Sequence, residues 1–211
     1  MSTTQTIDSN TFISSFSVRA GKQNLMASFN KFLVSQIGNG EVHNGVATTL
    51  PSGKTFWWFF GYPLSTLLFP SISVAEVGLF TPGETAIGRV LSHDPTTGQP
   101  IKGTRNQSLI EINAWAKDTT ALANAEKVVR DLRDSVMYVL MNASDVDEDT
   151  GRFIVPPIQL RDYSQGVPSL VGVISLDKNP NSITERFIVD PVDPNIKRYR
   201  LLVRVYWYEL T

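Results

Sequence analysis

Apolar residues recur along this chain at two spacings, and the changes of spacing mark out its elements. Leu25, Phe29, Phe32, Leu33 and Ile37 fall at steps of three and four, which places them on one side of a helix. Lys22–Ile37 is therefore expected to be an amphipathic helix. Gly38, Asn39 and Gly40 close it, because glycine accepts the left-handed conformation at a helix end. A second helix is expected over Thr120–Asn142, where Leu122, Ala125, Val129, Leu132, Val136 and Val139 keep the same steps for about six turns. Asp118, Thr119 and Thr120 offer oxygens to the free amides of its first turn. Lys127, Arg130, Asp131, Arg133 and Asp134 sit largely off the stripe, so this helix should lie across a sheet.

Elsewhere the period is two. In Ser108–Ala116, Ile110, Ile112 and Ala114 face one way and Glu111, Asn113 and Trp115 the other, as in a sheet with one buried side. In Tyr199–Leu210, Leu201, Val203, Val205 and Trp207 alternate with Arg200, Leu202, Arg204, Tyr206 and Tyr208. The second set mixes aromatic and cationic groups, which suits cover by a neighbour better than by water. Ser71–Phe80 and Leu170–Leu176 read as strands, and Gly88–Ser92 and Arg186–Asp190 as shorter ones. Phe153–Leu160 reads as an edge or bent strand, because Pro156 and Pro157 cannot donate to a ladder. The solid run Phe56–Phe60 suits a strand buried on both sides; its aromatics are core, or else anchors at a protein contact. Turn residues fill Pro51–Gly53, His93–Gly103, Asp177–Thr184 and Pro191–Pro194. Residues 1–21 are expected to form a flexible arm, with Phe12, Ile13, Phe16 and Val18 able to tack it to a surface. The order helix, strands, long helix, strands predicts an α+β fold. Its mixed or antiparallel β-sheet carries a long α-helix and an N-terminal helix packed on one face.

Composition narrows the function classes. Hydrophobic residues make up 42% of the 211, enough for a core, and the residues after 21 are expected to form a single domain. Charged residues are 18%, below the usual share of about 25%, so parts of the surface are either polar-neutral or covered by partners. The net charge is −1 with no basic run, which argues against gripping nucleic acid but allows a channel around DNA. The absence of cysteine excludes disulfides, thiolate metal sites and cysteine nucleophiles. The polar start MSTTQTIDSN predicts no secretory signal. Thr55–Phe69 is interrupted by Gly61 and Pro63 and falls short of the roughly 20 apolar residues of a span, so no membrane segment is expected.

Candidate chemistry is sparse. His43 and His93 sit in loop-like sequence without a G-x-S-x-G elbow, so neither is expected to be catalytic. Asp145–Gly151 resembles the start of a calcium loop, but the glycine is one place late and Pro156 stands where a bidentate Glu belongs. A solvated acidic turn is expected there. Gly38–Gly45 lacks the Lys-Ser/Thr ending of a P-loop, and no G-x-G-x-x-G follows a strand. Glu76, Glu84 and Glu111 are expected to be ordinary surface acids. No catalytic, cofactor or metal site emerges, and no enzyme activity is expected. The remaining candidates are contact residues: Phe56, Trp57, Trp58, Phe59, Arg200, Arg204, Tyr206 and Tyr208.

The layout resembles tail terminator (tail-completion, or neck) proteins of long-tailed bacteriophages. The resemblance rests on the helix Lys22–Ile37, on FPSISVAEVG at Phe69–Gly78, on the strand running into a helix over Leu109–Met141, and on the closing strand Arg200–Val205. It implies an α+β sandwich whose copies form a ring, usually a hexamer, that caps the tail tube and joins it to the head–tail connector. DNA passes through the lumen only as cargo. The resemblance also implies a place in the virion tail or neck, assembly in the host cytoplasm, and no enzyme activity, cofactor or membrane. Near-neutral charge suits a lumen that must not grip phosphates. Insertions at 41–69 and 145–197 relative to that pattern are candidate contacts to tube, connector or sheath. The alternatives are another connector or tail tube component, or a monomeric small-molecule module with Phe56–Phe60 lining a pocket. Under the ring reading, Arg200→Glu or Arg204→Glu is expected to weaken assembly more than folding.

Overall fold

The computed structural model describes residues 21–61, 67–80, 89–93, 98, 100–120, 124–164, 166–176 and 183–210. Most of the expected arm, Leu122 of the helix stripe and most of the turn at Asp177–Thr184 lie outside them. In chain order the described elements are α1 (Gly21–Gln36), β1 (Gly40–Val42), β2 (Phe56–Phe60), β3 (Ser71–Phe80), β4 (Arg89–His93) and β5 (Pro100–Lys117). There follow α2 (Ala125–Asn142), β6 (Ile158–Asp162), β7 (Ser169–Leu176), β8 (Ile183–Val189) and β9 (Ile196–Leu210). The fold is α+β.

The strands join in the order β1-β2-β3-β5-β9-β7-β6, with β4 also on β5 and β8 also on β9. β1–β2 and β2–β3 are parallel, and the remaining pairs are antiparallel. The spine is the β5–β9 ladder, from Gly103 opposite Leu210 to Lys117 opposite Ile196. β5 begins well before the expected Ser108. Pro100 and Gly103 read as loop chemistry, but pairing with β4 on one edge and β9 on the other draws them into the sheet.

Alternation sorts the sheet into two faces. Ile72, Val74, Ile110, Ile112, Leu201, Val203 and Val205 point to one side and are buried there. They form a single core with Leu25, Phe29 and Leu33 of α1 and Val136, Val139 and Leu140 of α2. α2 lies over β5 and β9, and α1 runs chiefly along β6, the end strand of the sheet. There the Arg161 amide donates to Ser28 Oγ at 2.9 Å and the Tyr163 amide to Asn24 Oδ1 at 3.0 Å. Side chains of α1 thus occupy donors that would otherwise face solvent at a strand edge.

α2 starts at Ala125, five residues after the expected Thr120, and capping explains the position. Asn124 Oδ1 accepts from the Lys127 amide at 2.9 Å, which makes Asn124 the N-cap. Asp118 still serves the first turn, accepting from the Ala125 amide at 2.7 Å, but from the end of β5 rather than from the cap position. After α2 the chain turns through the acidic segment. Asp147 Oδ1 accepts from the Thr150 amide at 2.7 Å and from Thr150 Oγ1 at 2.8 Å, and Gly151 takes φ +66°. These bonds from Thr150 hold the Asp147 carboxyl below its ordinary pKa. No described helix is long and apolar enough to cross a membrane.

Candidate functional site on the sheet face opposite the helices

The residues that alternate with the core set form the second face of the sheet. Register aligns Phe59, Ser73, Asn113, Arg200 and Arg186 across β2, β3, β5, β9 and β8. The next row carries Trp57, Ser71, Trp115, Arg198 and Ile188. A polar network occupies the middle of this face. Glu111, only 1% exposed, is held from two sides. Its Oε1 accepts from Arg198 Nη2 at 2.8 Å and Asn113 Nδ2 at 2.9 Å. Its Oε2 accepts from Arg200 Nε at 2.8 Å and pairs with Nη2 at 2.6 Å. Asn113 Oδ1 accepts from Arg198 Nε at 2.7 Å, and Ser73 Oγ accepts from Trp115 Nε1 at 3.0 Å. The Arg198 guanidinium lies 4.7 Å from the centre of the Trp115 ring. A carboxylate this deep is tolerable only when such donors replace its water. The expectation that Glu111 is a surface acid is therefore wrong.

The outer arginines differ from this pair. Arg186 and Arg204 are exposed, and neither has an ion-pair partner among the described residues. Arg186 stands directly opposite Arg200 in the β8–β9 ladder, a like-charge pairing that is unfavourable in a sheet.

The candidate residues divide accordingly. Phe56 and Trp58 point to the core, are fully buried and pack edge to face with ring centres 5.2 Å apart. They present nothing to a partner. Trp57 and Phe59 belong to the second face, where the His43 ring lies 5.2 Å and 4.8 Å from theirs. Trp57 is buried and Phe59 half-buried. Arg200 is bound to Glu111, Arg204 is exposed and Tyr206 is half-buried. The side chain of Tyr208 lies outside the described residues, as does that of His93. Asn113, Arg198 and Arg186 were not singled out from the sequence and Glu111 was read only as a surface acid, although the polar residues alternating in Ile110–Trp115 carry the signal.

The rest of the described surface offers little catalytic chemistry. No cluster of three or more His, Asp or Glu among the described residues could hold a metal. A groove of about 480 Å³ runs between α1 and β6, lined by Lys31, Phe32, Pro156, Arg161 and Tyr163 among others. Lys31 Nζ sits 4.3 Å over the Tyr163 ring. None of Phe56–Phe60 lines this groove. No protein-family model matches the sequence, and no curated protein does.

Proposed function

We propose that this chain is a structural subunit that works through its sheet face. In this reading its copies form a hexameric ring that terminates the tail tube of a long-tailed phage and joins it to the head–tail connector. DNA crosses the lumen. Residues 22–211 act as one domain, with both helices bracing one face and the other turned to neighbours. The segments at 41–69 and 145–197 meet tube, connector or sheath. The subunit works in the virion, is assembled in the host cytoplasm, and has no enzymatic step or cofactor.

One observation carries the reading: a face organised around the Glu111 network carries exposed arginines, Arg186 and Arg204, that have no ion-pair partner among the described residues. Exposed charges without a counter-ion suit contact with a partner better than chemistry on a small molecule. The test is mass photometry of the purified chain, with negative-stain imaging of particles carrying a tagged copy. The expected result is a discrete ring mass and label at the junction of tail and head. Particles that never contain the chain would refute the reading. A tail tube or connector component is the second reading, favoured by the dominance of strands; label along the tube or within the connector would select it.

A further inference from the structure

We infer that the Arg186/Arg204 face docks the acidic turn Asp145–Asp149 of a second copy of this chain. The inference rests on the subunit reading above and names the two surfaces that meet. Among the described residues, the exposed arginines of this face without an ion-pair partner are Arg186 and Arg204, and an anion placed beside Arg186 relieves its juxtaposition with Arg200. The same chain carries such an anion. Asp145, Asp147, Glu148 and Asp149 crowd one exposed turn. Asp147 is engaged by Thr150, while Glu148 and Asp149 have no ion-pair partner among the described residues.

Among the described residues no ion pair joins the two surfaces within one molecule. The turn follows α2, which packs on the core face, and is tied to the chain beyond it by the Ala143–Val155 and Val146–Phe153 bridges. The arginines leave from the opposite face. Apolar groups accompany the charges on both sides. Val146 is 50% and Phe153 54% exposed at the base of the turn, and half-buried Leu202 and Ile188 lie beside the arginines. An apolar centre with a charged surround is the anatomy of a protein contact. Different surfaces meet here, so the contact is heterologous, and repeating it closes a ring or runs on as a filament. Strong phosphate binding draws on more cations than two, so the observations favour the second copy over nucleic acid.

The experiment uses the full chain in sedimentation velocity. One variant carries Arg186→Glu with Arg204→Glu, the other Glu148→Lys with Asp149→Lys. Each alone is expected to raise the dissociation constant by about tenfold or more. An equimolar mixture is expected to restore association, because each reversed face then meets a reversed turn. Wild-type association that neither variant changes, or a mixture that stays apart, overturns the contact but leaves the ring reading standing. A wild-type chain that is monomeric throughout overturns both. Binding of a short DNA duplex, lost in the arginine variant while self-association persists, overturns the inference in favour of a phosphate surface. Should charge reversal unfold a variant, the cysteine-free chain allows another check. Arg204→Cys mixed with Asp149→Cys is expected to give the mixed disulfide on oxidation, and its absence overturns the contact.

Discussion

Ser71 and Ser73 stand two positions apart on the same face of β3, both buried, and their partners separate them. Ser73 Oγ accepts from Trp115 Nε1, whereas Ser71 Oγ has no hydrogen-bond partner among the described residues. Ser73→Ala is expected to cost about 1–2 kcal/mol, and Ser71→Ala to be neutral or stabilising by up to about 1 kcal/mol. Urea unfolding of the two variants checks the contrast. The arginines of β9 separate in the same way. Arg200→Glu sets a second carboxylate against buried Glu111 and is expected to cost about 2–3 kcal/mol, after allowing for the partial exposure of Arg200. Arg204→Glu is expected to stay within about 0.5 kcal/mol of wild type, because Arg204 is exposed and has no ion-pair partner among the described residues. Reversal at Arg200 is thus expected to strike the fold as well as any assembly, whereas the sequence alone pointed chiefly to assembly. Alternation alone was enough to read which side chains of β9 point inward: Leu201, Val203, Val205 and Trp207 are buried. It could not tell that Glu111 is buried too. The arginines that make its burial tolerable come from a strand 87 and 89 positions away.

At the scale of elements, ends are decided by single polar atoms. Asn124→Ala is expected to cost about 1 kcal/mol by freeing the Lys127 amide, and Asp118→Ala about 1–2 kcal/mol by freeing the more sheltered Ala125 amide. Faster amide exchange confined to the first turn of α2 would check both. The β8–β9 connection supplies a pH-dependent case. Asp193 pairs with Lys117 at 2.7 Å and accepts from the Asn195 amide at 3.1 Å, and the Lys117 hydrogen bond first among causes holds its carboxyl below the ordinary value of 3.8. A depressed folded-state pKa means that the stabilisation is complete above the unfolded value and is lost as pH falls through the lower folded one. Asp193→Asn is therefore expected to lower stability at neutral pH and to flatten its decline below about pH 4. Chemical denaturation across that range measures the difference. The strand boundaries that the sequence missed have one cause. The first half of β5 has turn-forming residues, and its extended form comes from pairing with β4 and β9, which no local window contains.

For the whole molecule, the succession of periods was enough to read the α+β class. The strand order was not, because the choice of neighbour depends on which faces meet across long stretches of chain. The single-domain reading expects one cooperative urea transition, with circular dichroism and tryptophan fluorescence superimposed. Two separated transitions would divide the chain. The spine of the sheet carries a further consequence. β9 comes after every other described element, so a ribosome releases β5 well before the strand that will fill its long edge. At about 5–20 residues per second, the 89 positions between Glu111 and Arg200 take roughly 5–20 s to synthesise. Through that interval the nascent chain displays an apolar, hydrogen-bond-hungry edge. Its yield in a cell should therefore depend on translation speed and on holdase chaperones as much as on the stability of the finished fold.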